Sequence, residues 1–252
     1  WFRTKEKPPK SEEEMFKEAL SYFEGKPLFL AKVFPKKAEK CKGSKSCWFY
    51  FYRRDYQKAI ELFRELVYEY PFTKYLAEVD FYIAESNFRL KEYEVAREAY
   101  QDFLDRHRKD LRAEYAYFQL GNCSWQLRRK HPLKDQTPTR EAINYFENFI
   151  RLYPNSEYAN QAIEHIREGR EILADRENRI GDFYFAQKQY WSASLRYHTA
   201  WTLYPETRVA DYALYKEWVC LKQLNREDEA QRVAQYLLEN YPHSRYLSEL
   251  TK

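Results

Sequence analysis

Histidine, cysteine and carboxylate side chains are the groups that could perform catalysis or hold a metal, and their spacing in this chain favours neither. The histidines show no metal-ligand spacing, and none stands in a Ser/His/Asp or Cys/His set. Glu164 and His165 are adjacent but do not extend to a zinc motif. Carboxylate pairs abound, but on amphipathic helices they usually form a solvated face. We therefore expect no enzyme, no cofactor and no metal site. The five histidines are His107, His131, His165, His198 and His243.

Two of the four cysteines lie close together in an unusual stretch, residues 25–53. Cys41 and Cys47 are surrounded by seven lysines and a single acid, Glu39, with apolar pieces on either side. A metal would need more ligands, and no histidine is near. The lysines either face anionic lipid headgroups or form a solvated loop. Cys123 and Cys220 lie on helical patterns, which predicts that each is buried singly.

The composition describes a folded chain with little material for turns. Hydrophobic residues make up 44% of the 252 residues, which argues against wholesale disorder, and only 5 are glycine. A net charge of +4 is too small to indicate a nucleic-acid partner. No apolar run approaches the roughly 20 residues of a membrane span.

A thirteen-residue frame, alanine to proline, organises the chain. Its clearest copy is AINYFENFIRLYP, and bulky residues stand four and eight positions after the alanine in most copies. That spacing forms one helical stripe, and the proline ends the helix because it has no N–H. The copies are 59–71, 96–108, 142–154, 193–205 and 230–242, the second of which lacks the proline.

The frame also predicts what joins the helices. The residue two past the proline position is Thr73, Asp110, Ser156, Thr207 or Ser244, which are all N-cap formers. Successive alanines lie 37, 46, 51 and 37 residues apart. The longer gaps predict an extra loop near 128–138 and one helix of about double length within 157–187. Ser11 and Glu14 predict a capping box for a helix over about 12–24. The pattern indicates an all-α fold, an α-solenoid of about five helix pairs.

The alanine-to-proline frame resembles the second helix of a tetratricopeptide repeat. The small residues Ala84 and Gly181, twelve before an alanine, also fit that repeat. A narrower resemblance, to the BamD family of outer-membrane assembly lipoproteins, rests on an ordered set of motifs and on the uneven gaps. It covers about residues 11–247, apart from an irregular insertion in the first repeat at 25–53. The motifs are YPFTKY (70–75), DQTP before AINYF (135–146), YPNSEYA (153–159), LADRE (173–177) and YPETR (204–208).

The resemblance implies a non-enzymatic scaffold of the machinery that folds β-barrels into the outer membrane. Its expected partners are unfolded outer-membrane proteins, a BamA-like barrel subunit with POTRA domains, and other lipoproteins of the complex. It implies a location on the periplasmic face of the outer membrane, held by a lipid anchor upstream of Trp1. The alternative is a periplasmic tetratricopeptide adaptor of the Tol–Pal type, whose evenly spaced repeats fit the 46 and 51 gaps poorly.

The resemblance also divides the chain and assigns its site residues. Residues 1–10 are a tether, 11–133 a substrate-groove half and 134–252 a partner-docking half. Arg196 matches a family arginine that pairs with an acidic residue of the last POTRA domain, although a salt bridge within the repeats, for instance to Asp182 or Asp211, is the alternative. In an oxidising periplasm, Cys41 and Cys47 favour a disulfide over two free thiols. First-helix positions predict a peptide groove, unless the tether or the 25–53 insertion fills it or its rings pack between repeats. The residues expected to line it are Phe16, Phe23, Phe81, Phe88, Arg89, Tyr115, Phe118 and Trp125.

Overall fold

The structure, a computed structural model, describes residues 10–27 and 52–250. It divides into two compact units, residues 1–123 and 124–252. The described part of the first unit contains the paired strands β1 (Lys26–Pro27) and β2 (Tyr52–Arg53) and the helices α1 (Glu12–Glu24), α2 (Tyr56–Glu69), α3 (Leu76–Arg89), α4 (Tyr93–Arg106) and the beginning of α5 (Ala113–Leu127). The second unit contains α6 (Thr137–Leu152), α7 (Ala159–Ala186), α8 (Tyr190–Leu203), α9 (Ala210–Gln223), α10 (Glu227–Asn240) and a 3₁₀ turn at Leu247–Glu249.

The first helix begins where its capping residues predict. Ser11 is the N-cap of α1, its hydroxyl accepts from the Glu14 N–H, and the Glu14 carboxylate accepts from the Ser11 N–H. This capping box satisfies two backbone donors that the first turn leaves open. After α1, strands β1 and β2 pair antiparallel, Pro27 opposite Tyr52.

Buried positions follow the repeat frame, with one correction. All five frame alanines are buried, and Phe63, Tyr100, Phe146 and Tyr197, four residues after an alanine, are completely buried. The position eight after the alanine is buried only at Leu104, and the second position that is buried in all five copies lies seven after the alanine. The completely buried residues at that position are Leu66, Phe103, Phe149, Ala200 and Leu237.

The predicted N-cap residues have a different role from the one expected. They lie in the turn before each helix rather than at its N-cap, which is Tyr75 for α3 and Tyr158 for α7. The side-chain oxygens of Thr73 and Ser156 accept from the backbone N–H two residues on. Asp110 and Ser244 do the same. These local bonds fix the turn and leave the helix to start about three residues later.

Both predicted irregularities are present. Helix α7 has 28 residues, twice the 14 of α8, as the 51-residue gap predicts. The extra loop lies between Leu127 and Thr137 and is held by the buried Gln136, whose amide donates to the Arg129 and His131 carbonyls at 3.0 Å each. The carboxamide oxygen of Gln136 accepts from the Thr139 hydroxyl at 2.6 Å, so one side chain closes the loop onto α6.

Within each unit, helices that are consecutive in the chain pack against each other. In the first unit α1 packs on α2, α2 on α3 and α3 on α4; in the second, α6 through α10 pack in the same sequential way. The fold class is the predicted one, an all-α solenoid of tetratricopeptide-like helix pairs. Within the described ranges, no helix is long and apolar enough to cross a membrane.

Candidate functional site

The predicted groove aromatics of α1 pack partly against the helices that follow. Phe16 stacks on Tyr75 with ring centroids 4.3 Å apart and planes 6° from parallel. Phe23 lies 4.9 Å from the Tyr82 ring. Both side chains are half-buried, since each packs against the core of the first unit. Each ring is therefore only partly available to an incoming ligand.

Phe81 lies at the centre of an aromatic cluster on α3. Its ring centroid is 5.6 Å from that of Phe103 and 6.0 Å from that of Tyr115. The Arg112 guanidinium lies over the Phe81 ring at 5.2 Å, within cation–π range. Burial raises the pKa of Tyr115 to about 12, so its hydroxyl stays protonated as a hydrogen-bond donor. The cluster combines a half-buried apolar surface with hydrogen-bonding and cationic groups at its edge.

The end of α3 supplies the cation that sequence reasoning placed in the groove. Phe88 packs edge-on against Tyr93 at 5.4 Å. Arg89 is about half exposed and pairs with the carboxylate of Glu85 at 2.6 Å. Glu85 is buried and also accepts from the Tyr100 hydroxyl at 2.5 Å. A buried carboxylate needs such partners, so Arg89 serves the fold as well as any ligand.

Two of the predicted groove residues are not accessible. Phe118 and Trp125 are each only 3% exposed, so the expectation that they line an open groove is wrong for both. Trp125, in the second unit, lies 4.6 Å from the His165 ring and holds the Arg128 guanidinium over its own ring at 3.7 Å. Packing among neighbouring side chains, the alternative reading of the aromatic stripe, accounts for these two.

An acid–tyrosine pair that sequence reasoning missed recurs in both units. The Tyr100 hydroxyl donates to Glu85 in the first unit, and the Tyr197 hydroxyl donates to Asp182 at 2.7 Å in the second. Each acid follows the small first-helix residue, and each tyrosine stands fifteen residues later, four after a frame alanine. Burial, followed by the acid, raises the pKa of both tyrosines. The pair could have been predicted from the sequence, because acid and tyrosine occur together in these two repeats.

Arg196 lies on α8 with its side chain 43% exposed. Its Nη1 donates to Glu177 Oε2 at 3.1 Å, so the internal partner is Glu177 rather than Asp182 or Asp211. Glu177 is nearly buried and also pairs with Arg176 at 2.9 Å. Arg196 is therefore one of two cations that pair with Glu177. Arg176 would still neutralise this carboxylate if Arg196 were absent.

The structure describes two of the four cysteines. Cys123 and Cys220 are buried, free and separate, as predicted, and burial raises the pKa of each thiol to about 12. Neither is reactive at neutral pH, because the thiolate is the nucleophile. Cys41 and Cys47 lie outside the described residues. Among residues 10–27 and 52–250, no group of three or more His, Cys, Asp or Glu side chains could hold a metal.

Comparison with known proteins gives a consistent result. A family model described as "YfiO: Outer membrane lipoprotein" matches residues 48–236. A Rickettsia prowazekii (strain Madrid E) protein named "Outer membrane protein assembly factor BamD" is 29% identical over 196 residues, 78% of each chain. Proteins of the same name from Caulobacter vibrioides and Neisseria gonorrhoeae are 23% and 22% identical; the alignments cover 77% of this chain in both cases and 63% and 76% of those relatives.

Proposed function

The chain belongs to the YfiO family of outer membrane lipoproteins, and on that premise we propose that it is a non-enzymatic assembly factor for outer-membrane β-barrels. It receives unfolded barrel substrates through its first unit and docks the POTRA region of a BamA-like barrel subunit through its second. It works at the periplasmic face of the outer membrane, held there by a lipid anchor. The match over residues 48–236 carries the proposal, because it spans repeats of both units.

The half-buried rings of the first unit support the substrate-binding part of the proposal. Phe81 and Phe88 on α3 and Tyr115 on α5 are each half-buried, and Arg89, which follows Phe88, adds a half-exposed cation. Such a surface suits an extended segment that alternates aromatic and polar side chains, with its terminal carboxylate near the arginine. Phe16 and Phe23 add two further half-buried aromatic rings on α1.

The position of Arg196 supports the docking part. Arg196 is 43% exposed and shares Glu177 with a second cation, so it can turn to a partner carboxylate without leaving that nearly buried acid unpaired. Glu177 keeps Arg176 when Arg196 turns away. Leu203, seven residues further along the same face of α8, is more than half exposed and adds an apolar contact beside the charge. An arginine so placed can hold a carboxylate with two parallel hydrogen bonds.

The experiment is a pull-down of the barrel subunit's POTRA region with Arg196→Glu. We expect docking to weaken by about 2–5 kcal/mol, as for a charge pair desolvated at an interface. Arg179→Glu is the matched control, because Arg179 is also about half exposed and forms an internal pair, with Asp175 at 2.8 Å. Replacing the acidic residue of the POTRA domain with a basic one should restore docking to the Arg196→Glu variant. Docking that survives Arg196→Glu, together with a lower melting temperature of the protein itself, would show that the arginine is structural only.

A further inference from the structure

Two apolar side chains in the turns of the first unit are completely exposed. Phe72 follows Pro71 in the turn before α3, and Leu111 follows Asp110 in the turn before α5; each is 100% exposed. Polar or charged residues stand at the corresponding positions of the second unit's turns. Those residues are Asn155, Glu206 and His243 at the Phe72 position, and Glu157, Arg208 and Arg245 at the Leu111 position.

The two turns lie on one edge of the first unit, at the beginning of α3. Phe72 is four residues before the first residue of that helix. The turn that carries Leu111 reaches the first two turns of the same helix, where His107 Nε2 lies 2.9 Å from Asp80 Oδ2. Arg112 Nη2 in that turn lies 4.0 Å from Glu78 Oε1. The turns that carry Phe72 and Leu111 therefore both lie at the beginning of α3, and both side chains are open to solvent.

The chain before α1 reaches this same edge. The Tyr70 hydroxyl donates to the Lys10 carbonyl at 2.9 Å. The Glu12 carboxylate accepts from the Thr73 hydroxyl at 2.5 Å and from the Lys74 N–H at 3.0 Å. Lys10 is thus held beside the turn that carries Phe72.

Cations accompany the exposed apolar groups. Residues 105–112 contain four basic residues, of which Arg106, Arg108 and Arg112 also pair with Asp80, Asp105 and Asp110. Lys109 and Arg108 are exposed beside Leu111, and Lys74 is exposed beside Phe72. An apolar tip among lysines and arginines suits the boundary of an anionic bilayer, where the tip enters the headgroup region and the cations meet lipid phosphates. Two separate tips fit a fluid surface better than a protein groove, which would require one contiguous patch.

We propose that this edge of the first unit rests on an anionic phospholipid surface, with Phe72 and Leu111 inserted among the headgroups. The proposal rests on the proposed location at the outer membrane and adds to it an orientation. The start of α1 and the turns before α3 and α5 face the bilayer, while α8 with Arg196 belongs to the docking of the barrel subunit. Lipid binding and docking then depend on different residues and can fail separately.

The experiment is co-flotation of the purified chain with vesicles of phosphatidylethanolamine and phosphatidylglycerol. The wild type should float with these vesicles, less so in high salt and less so with phosphatidylcholine alone. Phe72→Ala with Leu111→Ala should lower the partition coefficient about tenfold, because two inserted side chains are lost. Both side chains are fully exposed, so the fold should be unaffected. Leu152→Ala with Leu238→Ala, two half-exposed leucines of the second unit, is the control.

Two outcomes would overturn the proposal. The wild-type chain fails to float with anionic vesicles, or the Phe72/Leu111 double variant floats as well as wild type. In the second case the source of vesicle binding would lie elsewhere in the chain, and loss of capture by the barrel subunit in the same variant would make the edge a protein interface. The vesicle assay contains no partner protein, so a negative result there does not test the proposed assembly role. The pull-down of the POTRA region tests that role separately.

Discussion

The pair of Tyr197 and Asp182 is the most direct place to test how the second unit is held together. The Tyr197 hydroxyl donates to Asp182 Oδ1 at 2.7 Å, and the Tyr212 hydroxyl donates to the same oxygen at 2.6 Å. The Tyr197 ring is completely buried between helices α7, α8 and α9. Tyr197→Phe keeps the ring and removes one donor, so it isolates the hydrogen bond from the packing.

The expected cost follows from the geometry. A hydrogen bond to a charged group contributes about 1.5–3 kcal/mol. Asp182 is partly exposed and keeps the Tyr212 donor, so we expect the lower end, about 1.5 kcal/mol. At 2–4 °C per kcal/mol, this predicts a fall in melting temperature of roughly 3–6 °C. Asp182→Ala should cost more, because it leaves two tyrosine hydroxyls without their acceptor.

The assay is a double-mutant cycle measured by urea unfolding. In the Asp182→Ala background, Tyr197→Phe should be neutral or stabilising, because it removes a hydroxyl that has lost its acceptor. The coupling energy should then be about 1.5 kcal/mol. Tyr68→Phe is the control, since Tyr68 is largely exposed and should change stability by less than about 0.5 kcal/mol. A Tyr197→Phe cost no larger than that of Tyr68→Phe, or an additive cycle, would refute the reasoning.

Three further changes test other parts of the account. Phe81→Ala with Phe88→Ala should weaken binding of a C-terminal β-signal peptide by about 1–2 kcal/mol per ring; unchanged affinity in titration calorimetry, at unchanged circular dichroism, would exclude the groove. Burial between aromatic rings lowers the pKa of His165 below 6.5. Its neutral form therefore stabilises the second unit above that pH and the contribution is lost on acidification; denaturation midpoints at several pH values should show this loss in wild type and not in His165→Phe. Replacing residues 28–51 by an Asn-Gly turn should leave the thermal transition nearly unchanged, because Pro27 and Tyr52 already face each other across a strand pair; a large fall would show that the insertion is a packed part of the first repeat.

The sequence predicted the helices better than it predicted which residues of a helix are accessible. Alanine-to-proline spacing located the second helices because a buried small residue and a helix-ending proline are local signals. The 28 residues of α7 followed from the gap length alone. Phe118 and Trp125 failed as groove residues because burial depends on what packs on them, which position within one repeat does not specify.

Contacts between helices were the least predictable part of the candidate site. Arg196 pairs with Glu177, which lies nineteen residues earlier on a different helix, and two other acids had seemed equally suitable. The turn residues were recognised as important but misplaced, because serine, threonine and aspartate bond the backbone two residues on both in turns and at N-caps. By contrast, the Tyr100–Glu85 pair could have been predicted from the sequence. A second repeat also has an acid and a tyrosine fifteen residues apart, Asp182 and Tyr197.

Co-purification from native membranes tests the central claim most directly. The full-length lipoprotein, solubilised in mild detergent and captured by an affinity tag, should bring down a barrel protein that carries POTRA domains. The amount recovered should fall sharply with Arg196→Glu and remain unchanged with Arg179→Glu. Recovery of a Tol–Pal-type envelope partner in place of a POTRA-bearing barrel would contradict the assembly-factor role.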